Sequence, residues 1–222
     1  LAEAVERQNM IKMNRRDVIA LAAGAALTAA LGLPALAQDA TAPANAAPQV
    51  PELVLGNADA KVTLTEYASY TCPHCANFHT DVFKPLKAEY IDTGKVKFVY
   101  REVYFDRYGL WAAMLARCSG EMRYFGINGI LFEKQKEWAA SDDPATVIGN
   151  LKTIGKSAGM TDAELDACFN DQKLAEAMVA RFQETMEADS IEGTPTLLIN
   201  GTKHSNMSYA DLKALLDAEL AK

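Results

Sequence analysis

The sequence predicts an α/β fold whose two sheet-forming parts are separated by an all-helical insertion. Two strand patterns flank a helical pattern between residues 61 and 103, which is the βαβ order. Helical patterns then continue from about 107 to 188, and β character returns at 194–204 before a last helix. Because a crossover helix connects parallel strands, we expect the first two strands to be parallel.

The first part contains two strands and one long helix. Residues 61–69 (KVTLTEYAS) alternate and are β-branched, which predicts a strand, and 95–103 (KVKFVYREV) predict the second strand after Gly94. Between them, apolar side chains recur at every fourth position and form one helical face: Phe78, Val82, Leu86 and Tyr90. Pro85 should kink this helix because proline has no N–H to donate.

The insertion is expected to hold about five helices. Pro144 is placed at a helix start, and Thr161-x-x-Glu164 has the pattern of a capping box. In the second sheet-forming part, Asn200-Gly201 is the preferred two-residue turn of a β-hairpin.

The N-terminal residues are typical of an exported protein. Arg15 and Arg16 precede an apolar stretch of roughly 16 residues, which is short for a membrane span, and Ala35-Leu36-Ala37 resembles a cleavage site. We therefore predict that residues 1–37 consist of upstream residues followed by a secretory signal peptide. This signal would direct the protein to Sec or twin-arginine export. An uncleaved N-terminal membrane anchor is the alternative.

The composition of the chain also predicts where its folded parts begin and end. Residues 38–50 are rich in Ala, Pro and Gln and predict a flexible linker. The predicted folded parts are 51–106, the helical insertion 107–187, and 188–222. A net charge of −7 without a long basic run argues against a nucleic acid partner.

The four cysteines fall into a near pair and a distant pair. Outside the cytosol thiols tend to be oxidised, and four cysteines allow three pairings. A bond between Cys72 and Cys75 would restrain little chain, whereas one between Cys118 and Cys168 would close a 50-residue separation and contribute roughly 4 kcal/mol. This difference suggests a chemical role for the near pair and a structural role for the distant one.

Cys72 lies where the first strand gives way to the helix. The unpaired N–H groups of a first helical turn and the helix dipole stabilise a thiolate there, and His74 can add charge or a donor. Such settings lower a cysteine pKa from about 8.5 into the range of roughly 3.5–7.5. A stabilised thiolate makes the disulfide a stronger oxidant, so we expect Cys72 to be attacked and Cys75 to be the resolving cysteine.

A metal site and a purely structural short disulfide are the alternatives for this motif. Zinc needs two more ligands, for which His79, His204 or the distant cysteines are available. However, no second CxxC occurs in the sequence. The pattern therefore favours redox exchange without a metal or other cofactor, and the two histidines are expected to be surface or structural residues.

Cys72-Pro73-His74-Cys75 after an aromatic-rich strand, with a helical insertion and a late Thr-Pro, resembles the disulfide oxidases of the DsbA family over about residues 51–222. The resemblance implies a thioredoxin fold with an inserted helical domain. It implies that a periplasmic monomer donates its Cys72–Cys75 disulfide to unfolded or partly folded exported proteins through a mixed disulfide. A DsbB-type quinone-linked membrane oxidase would reoxidise it; a reductase or isomerase is the alternative.

The resemblance also assigns expectations to single residues. Pro195 resembles the cis-proline that faces the motif in this fold, and Thr194 would offer backbone groups to an extended substrate. Glu66 precedes Cys72 by six residues, where relatives carry a buried acid, and it could relay the proton of Cys75. Some relatives carry a second bridge in the insertion, which implies a structural Cys118–Cys168 disulfide.

Overall fold

The computed structural model describes residues 50–222. The predicted signal peptide and nearly all of the predicted linker lie outside the described residues, so those two predictions stay predictions. Within residues 50–222, every helix is too short or too polar to cross a bilayer.

Five strands form one mixed sheet in the order β1-β3-β2-β4-β5. Their bounds are Leu53–Leu55 (β1), Val62–Ala68 (β2), Val96–Glu102 (β3), Thr196–Ile199 (β4) and Thr202–Ser205 (β5). The parallel pairing of β2 with β3 is confirmed, and the other three pairs are antiparallel. The hairpin turn at Asn200-Gly201 is also confirmed, since both residues have positive φ.

The helix after β2, which we call α1, changes its winding three times. It consists of α-helical Pro73–Phe78, π-helical His79–Phe83, α-helical Lys84–Leu86 and π-helical Lys87–Ile91. The N–H of Lys84 donates to the carbonyl of His79, five residues back, directly before Pro85. The sequence predicted a kink at Pro85, and a π-helical segment is one of the recognised sites at which a helix bends.

Six helices make up the insertion in the described part of the chain, one more than the approximate number expected. They are Arg107–Cys118 (α2), Glu121–Glu133 (α3), Gln135–Trp138 (α4), Pro144–Ser157 (α5), Asp162–Phe169 (α6) and Gln172–Ala188 (α7). The additional element is the four-residue α4. The start at Pro144 and the capping box of Thr161 with Glu164 are confirmed. The last helix of the chain is Tyr209–Leu220 (α8).

One continuous apolar core joins the sheet, α1 and the insertion. Tyr70, Tyr100 and Phe132 pack with ring centroids 5.1 to 6.2 Å apart, so the insertion shares its core with the sheet. A smaller cluster on the other face of the sheet includes Tyr67 and Leu198 and packs against α7. The predicted α/β fold with an inserted helical region is confirmed, and it brings the end of β2 and the start of β4 to the same edge of the sheet.

Candidate active site

Cys72 caps the N-terminus of α1. Its backbone is extended, and its carbonyl accepts the N–H groups of Cys75 at 3.1 Å and Ala76 at 3.2 Å. Pro73 occupies the first helical position, where the missing N–H costs no helical hydrogen bond. Cys72 is partly exposed and Cys75 is buried, and both carry free thiols. The two sulfurs therefore differ in the way that sequential thiol exchange requires.

The electrostatic environment separates the two thiols further. A hydrogen bond from the Cys75 thiol, together with the hydroxyl of Thr194 and the N–H groups of Cys75 and His74, lowers the pKa of Cys72 to about 5. The Cys72 thiolate, burial and the charge of Glu66 raise the pKa of Cys75 far above its ordinary value. The His74 imidazole is exposed, and the backbone N–H of this residue lowers the pKa of Cys72.

The Thr194-Pro195 segment lies opposite Cys72. The peptide bond between these two residues is cis, and the carbonyl of Thr194 accepts the Cys72 thiol at 3.6 Å. The hydroxyl of Thr194 is buried, and it lowers the pKa of both thiols. This loop is held in place because Lys203 donates to the carbonyl of Ser190 at 2.6 Å.

Glu66 lies beneath the cysteines, in the middle of the sheet. It is only 4% exposed and is paired between Tyr100 of β3 and Leu197 of β4. Burial, and then the charge of Cys72, raise its pKa to about 8. At neutral pH this carboxyl is therefore mostly protonated and can exchange a proton with a nearby sulfur.

Sequence reasoning missed a contribution from the insertion. The side-chain amide of Gln135 donates to the carbonyls of Tyr70 at 2.8 Å and Cys72 at 2.9 Å. No local pattern marks this residue, because its partners lie more than 60 positions earlier in the chain.

Residues 49–218 match the thioredoxin family. Over 167 residues the chain is 36% identical to a putative protein-disulfide oxidoreductase of Rickettsia bellii, covering 75% of this chain and 63% of that protein. It is 30% identical to disulfide bond formation protein D of Bacillus subtilis, covering 75% of this chain and 76% of that protein. The chain belongs to the DsbA-like proteins of the thioredoxin family.

The crystal structure of Wolbachia pipientis alpha-DsbA1 resembles this DsbA-like chain in three dimensions. The TM-score is 0.72 at 28% sequence identity, and the match covers 78% of this chain and 93% of that one. The chain spans less than two thirds of the Rickettsia bellii relative, so similarity to that protein extends over part of its length only.

The two remaining histidines of this DsbA-like protein lie outside the Cys72–Cys75 motif. His79 is buried on α1, stacked between Phe83 and Phe132 at centroid distances of 5.0 and 5.3 Å, and His204 lies on β5. Burial lowers the pKa of His79 to about 4. Across residues 50–222 there is no group of three or more His, Cys, Asp or Glu side chains that could hold a metal ion.

A disulfide joins Cys118 to Cys168 in the DsbA-like insertion. The sulfurs are 2.10 Å apart and the Cα atoms 6.0 Å apart, so the bond ties the end of α2 to α6. It closes a loop across a sequence separation of 50, far from the motif in the chain.

Replacing both Cys118 and Cys168 by serine should lower the free energy of unfolding by roughly 4 kcal/mol, because the unfolded chain regains the entropy of that loop. Urea unfolding of the oxidised wild-type and double-variant proteins measures the difference. If the stability were unchanged but the equilibrium of the Cys72–Cys75 couple with glutathione shifted, the bridge would act as a redox regulator instead.

Proposed function

We propose that this chain is an exported thiol:disulfide oxidase that donates its Cys72–Cys75 disulfide to newly exported proteins. The observation that carries the proposal is the asymmetry of the two sulfurs. Cys72 is partly exposed with a pKa lowered to about 5, whereas Cys75 is buried with a raised pKa. A couple whose reduced form gains a stable thiolate holds its disulfide weakly and oxidises other dithiols.

The exchange begins when a substrate thiolate attacks the sulfur of Cys72 in the oxidised protein. The bond from Cys72 to Cys75 breaks, a mixed disulfide with Cys72 forms, and Cys75 leaves as a thiolate. Because burial disfavours a charged Cys75 sulfur, this sulfur takes up a proton, and Glu66 is the nearby acid that can supply it. A second substrate thiolate then attacks its own mixed disulfide and releases Cys72 as a thiolate, so two electrons pass from substrate to enzyme.

The loop opposite Cys72 supports an extended substrate. The carbonyl of Thr194 lies 3.6 Å from the Cys72 sulfur, and it is available to a substrate N–H when Cys72 is in a mixed disulfide. A depression lined by Glu192, Thr194, Lys203 and His204 continues from this point. Only an unfolded or partly folded protein can offer an extended segment of this kind.

Export and reoxidation complete the proposal. The signal-like residues 1–37 support a periplasmic location, with an N-terminal membrane anchor as the alternative. The reduced enzyme holds two electrons that must pass to an acceptor, and a DsbB-type membrane oxidase that delivers them to a quinone fits this need. The relation to disulfide bond formation protein D supports the assignment.

A trapping experiment tests this function. In cells that export the full chain, Cys75→Ala should accumulate mixed disulfides between Cys72 and exported proteins. The Cys72 thiolate attacks a disulfide of such a protein and releases one of its sulfurs as a thiolate, and no resolving thiol is left to free the complex. The Cys72→Ala/Cys75→Ala double variant is the control and should trap nothing. Complexes confined to cytosolic proteins would contradict export, and a glutathione equilibrium near that of cytosolic reductants would indicate a reductase.

A further inference from the structure

Gln135 is a buried side chain that connects the insertion to the active-site turn. It is the first residue of α4 and is 6% exposed. Its Nε2 atom donates both hydrogens, one to the carbonyl of Tyr70 at 2.8 Å and one to the carbonyl of Cys72 at 2.9 Å. Both partners are backbone acceptors, so the side-chain NH₂, and not the amide oxygen, must face them.

These two carbonyls flank the peptide units that orient the reactive sulfur. The Cys72 carbonyl also accepts the N–H groups of Cys75 and Ala76, and the Cys72 N–H donates to Ser69 at 3.1 Å. A donor that holds the carbonyls of Tyr70 and Cys72 together fixes the backbone on both sides of Thr71. It therefore fixes the direction in which the Cys72 side chain leaves the backbone.

The insertion holds Gln135 rigidly enough for this role. Lys134 interrupts the helical conformation between α3 and α4 with φ −102° and ψ 16°. Trp138, three residues after Gln135, is 1% exposed, and its indole N–H donates to the carbonyl of Leu131 at 2.7 Å. The carbonyl of Trp138 in turn accepts from Asn150 at 3.4 Å. The short helix is thus tied to the two helices beside it.

We propose that Gln135 is a positioning residue for Cys72, through which the insertion strengthens the couple as an oxidant. Its NH₂ group holds the active-site turn and places the positive end of an amide dipole beside the Cys72 carbonyl. Both effects favour the Cys72 thiolate, which exists only in the reduced protein. The inference rests on the proposed redox function, but it concerns the chemistry of Cys72 and not the identity of its partners.

Replacing Gln135 by methionine tests the proposal, since methionine has a similar length and donates no hydrogen bond. We expect the pKa of Cys72 to rise by about one unit, which is a tenfold change in the acid equilibrium. The exchange with oxidised glutathione, in which the dithiol gives the protein disulfide and two reduced glutathiones, should shift towards the protein disulfide by the same factor at pH 7. The two shifts must agree, because the oxidised protein has no Cys72 thiolate to stabilise.

Asn128→Ala is the matched control. Asn128 is also a buried amide of the insertion, 4% exposed, and it donates to Tyr70, but to the side-chain hydroxyl at 3.2 Å. Its replacement should lower stability and leave both the Cys72 pKa and the glutathione equilibrium unchanged. If Gln135→Met behaved in the same way, Gln135 would have only a structural role and the proposal would be wrong.

A measurement on the wild-type chain decides the case if the methionine variant does not fold. The side-chain NH₂ signals of Gln135, followed by NMR against pH, should shift at the Cys72 midpoint in the reduced protein and stay constant in the oxidised protein. Chemical shifts that do not change at this midpoint in the reduced protein would overturn the proposal. If the Gln135 effect were found but Cys75→Ala trapped no exported protein, the proposed function would fail while the positioning role stood.

Discussion

The thiol of Cys72 in the reduced protein should titrate with a midpoint near pH 5, far below the ordinary value of 9.0. The main cause is the hydrogen bond that the Cys75 thiol donates to the Cys72 thiolate, followed by the Thr194 hydroxyl and two backbone N–H groups, while burial opposes them. Ultraviolet absorbance of the thiolate, or the rate of alkylation against pH, measures the midpoint. A single transition near the value of a free cysteine would contradict this account.

The same shift makes the stability of the reduced protein depend on pH. A thiol with a lowered pKa stabilises the fold fully above its unfolded pKa of about 9, and this contribution is lost as pH falls through 5. At pH 7 the expected contribution is about 2 kcal/mol, after allowance for the partial exposure of the sulfur. Urea unfolding of the reduced wild-type and Cys72→Ser proteins, compared at pH 5 and pH 7, measures it.

Two substitutions of Cys75 separate its hydrogen bond from the rest of the site. Cys75→Ala removes the donor and should raise the Cys72 midpoint by about one unit. Cys75→Ser keeps a donor at the same position and should raise the midpoint much less. Equal midpoints in the two variants would show that the helix N-terminus and Thr194 alone stabilise the thiolate.

Much of this fold could be predicted because its long elements carry their own local signals. Alternation marked β2 and β3, a four-residue repeat marked α1, and caps marked several helix starts. The three-residue β1 has no such pattern and exists because it pairs with β3, with Leu53 opposite Tyr100. Likewise, α4 is too short to form alone and depends on the contacts of Trp138.

The residues of the site also differ in whether a local sequence pattern predicts them. The position of Cys72 at a helix N-terminus and the burial of Glu66 follow from local pattern and strand alternation. The closeness of Thr194 to Cys72 came from family resemblance, because a contact across 122 positions has no local signal. The sequence reasoning missed Gln135, since glutamine at a helix start is ordinary unless the fold brings two carbonyls to it.

Replacing Glu66 by glutamine should stabilise the oxidised protein at pH 7 and change its stability by almost nothing at pH 4. Burial, and then the charge of Cys72 in the reduced protein, raise the Glu66 pKa from 4.5 to about 8. Burial also acts in the oxidised protein, so its folded state binds a proton that the unfolded state releases. Stability therefore falls as pH rises from 4.5 towards 8, and the glutamine variant lacks this loss. Thermal or urea unfolding of both proteins at several pH values measures the difference in their free energy of unfolding. The lowered pKa of His79 also makes stability depend on pH, but it does so in both proteins and cancels in this difference.

The same substitution at Glu102 provides the contrast. Glu102 is also buried in the sheet, but it accepts hydrogen bonds from Arg117 at 2.6 Å and from Tyr124 at 2.7 Å. Glu102→Gln should destabilise the protein, because the guanidinium of Arg117 would lose its charged partner. If both variants changed stability in the same direction, the lack of a cationic partner would not explain how Glu66 differs from Glu102.

The buried carboxyl of Glu66 lowers the stability of the folded protein at neutral pH. A role in proton transfer explains why a carboxyl occupies this position. Cys75 must gain a proton when it leaves the disulfide, and a buried thiolate without a donor would be costly. Glu66→Gln should therefore slow formation of the mixed disulfide at pH 7 on the order of 10²-fold, the lower end for lost acid catalysis. Stopped-flow oxidation of a dithiol peptide measures the rate, and an unchanged rate would assign proton delivery to solvent instead of to Glu66.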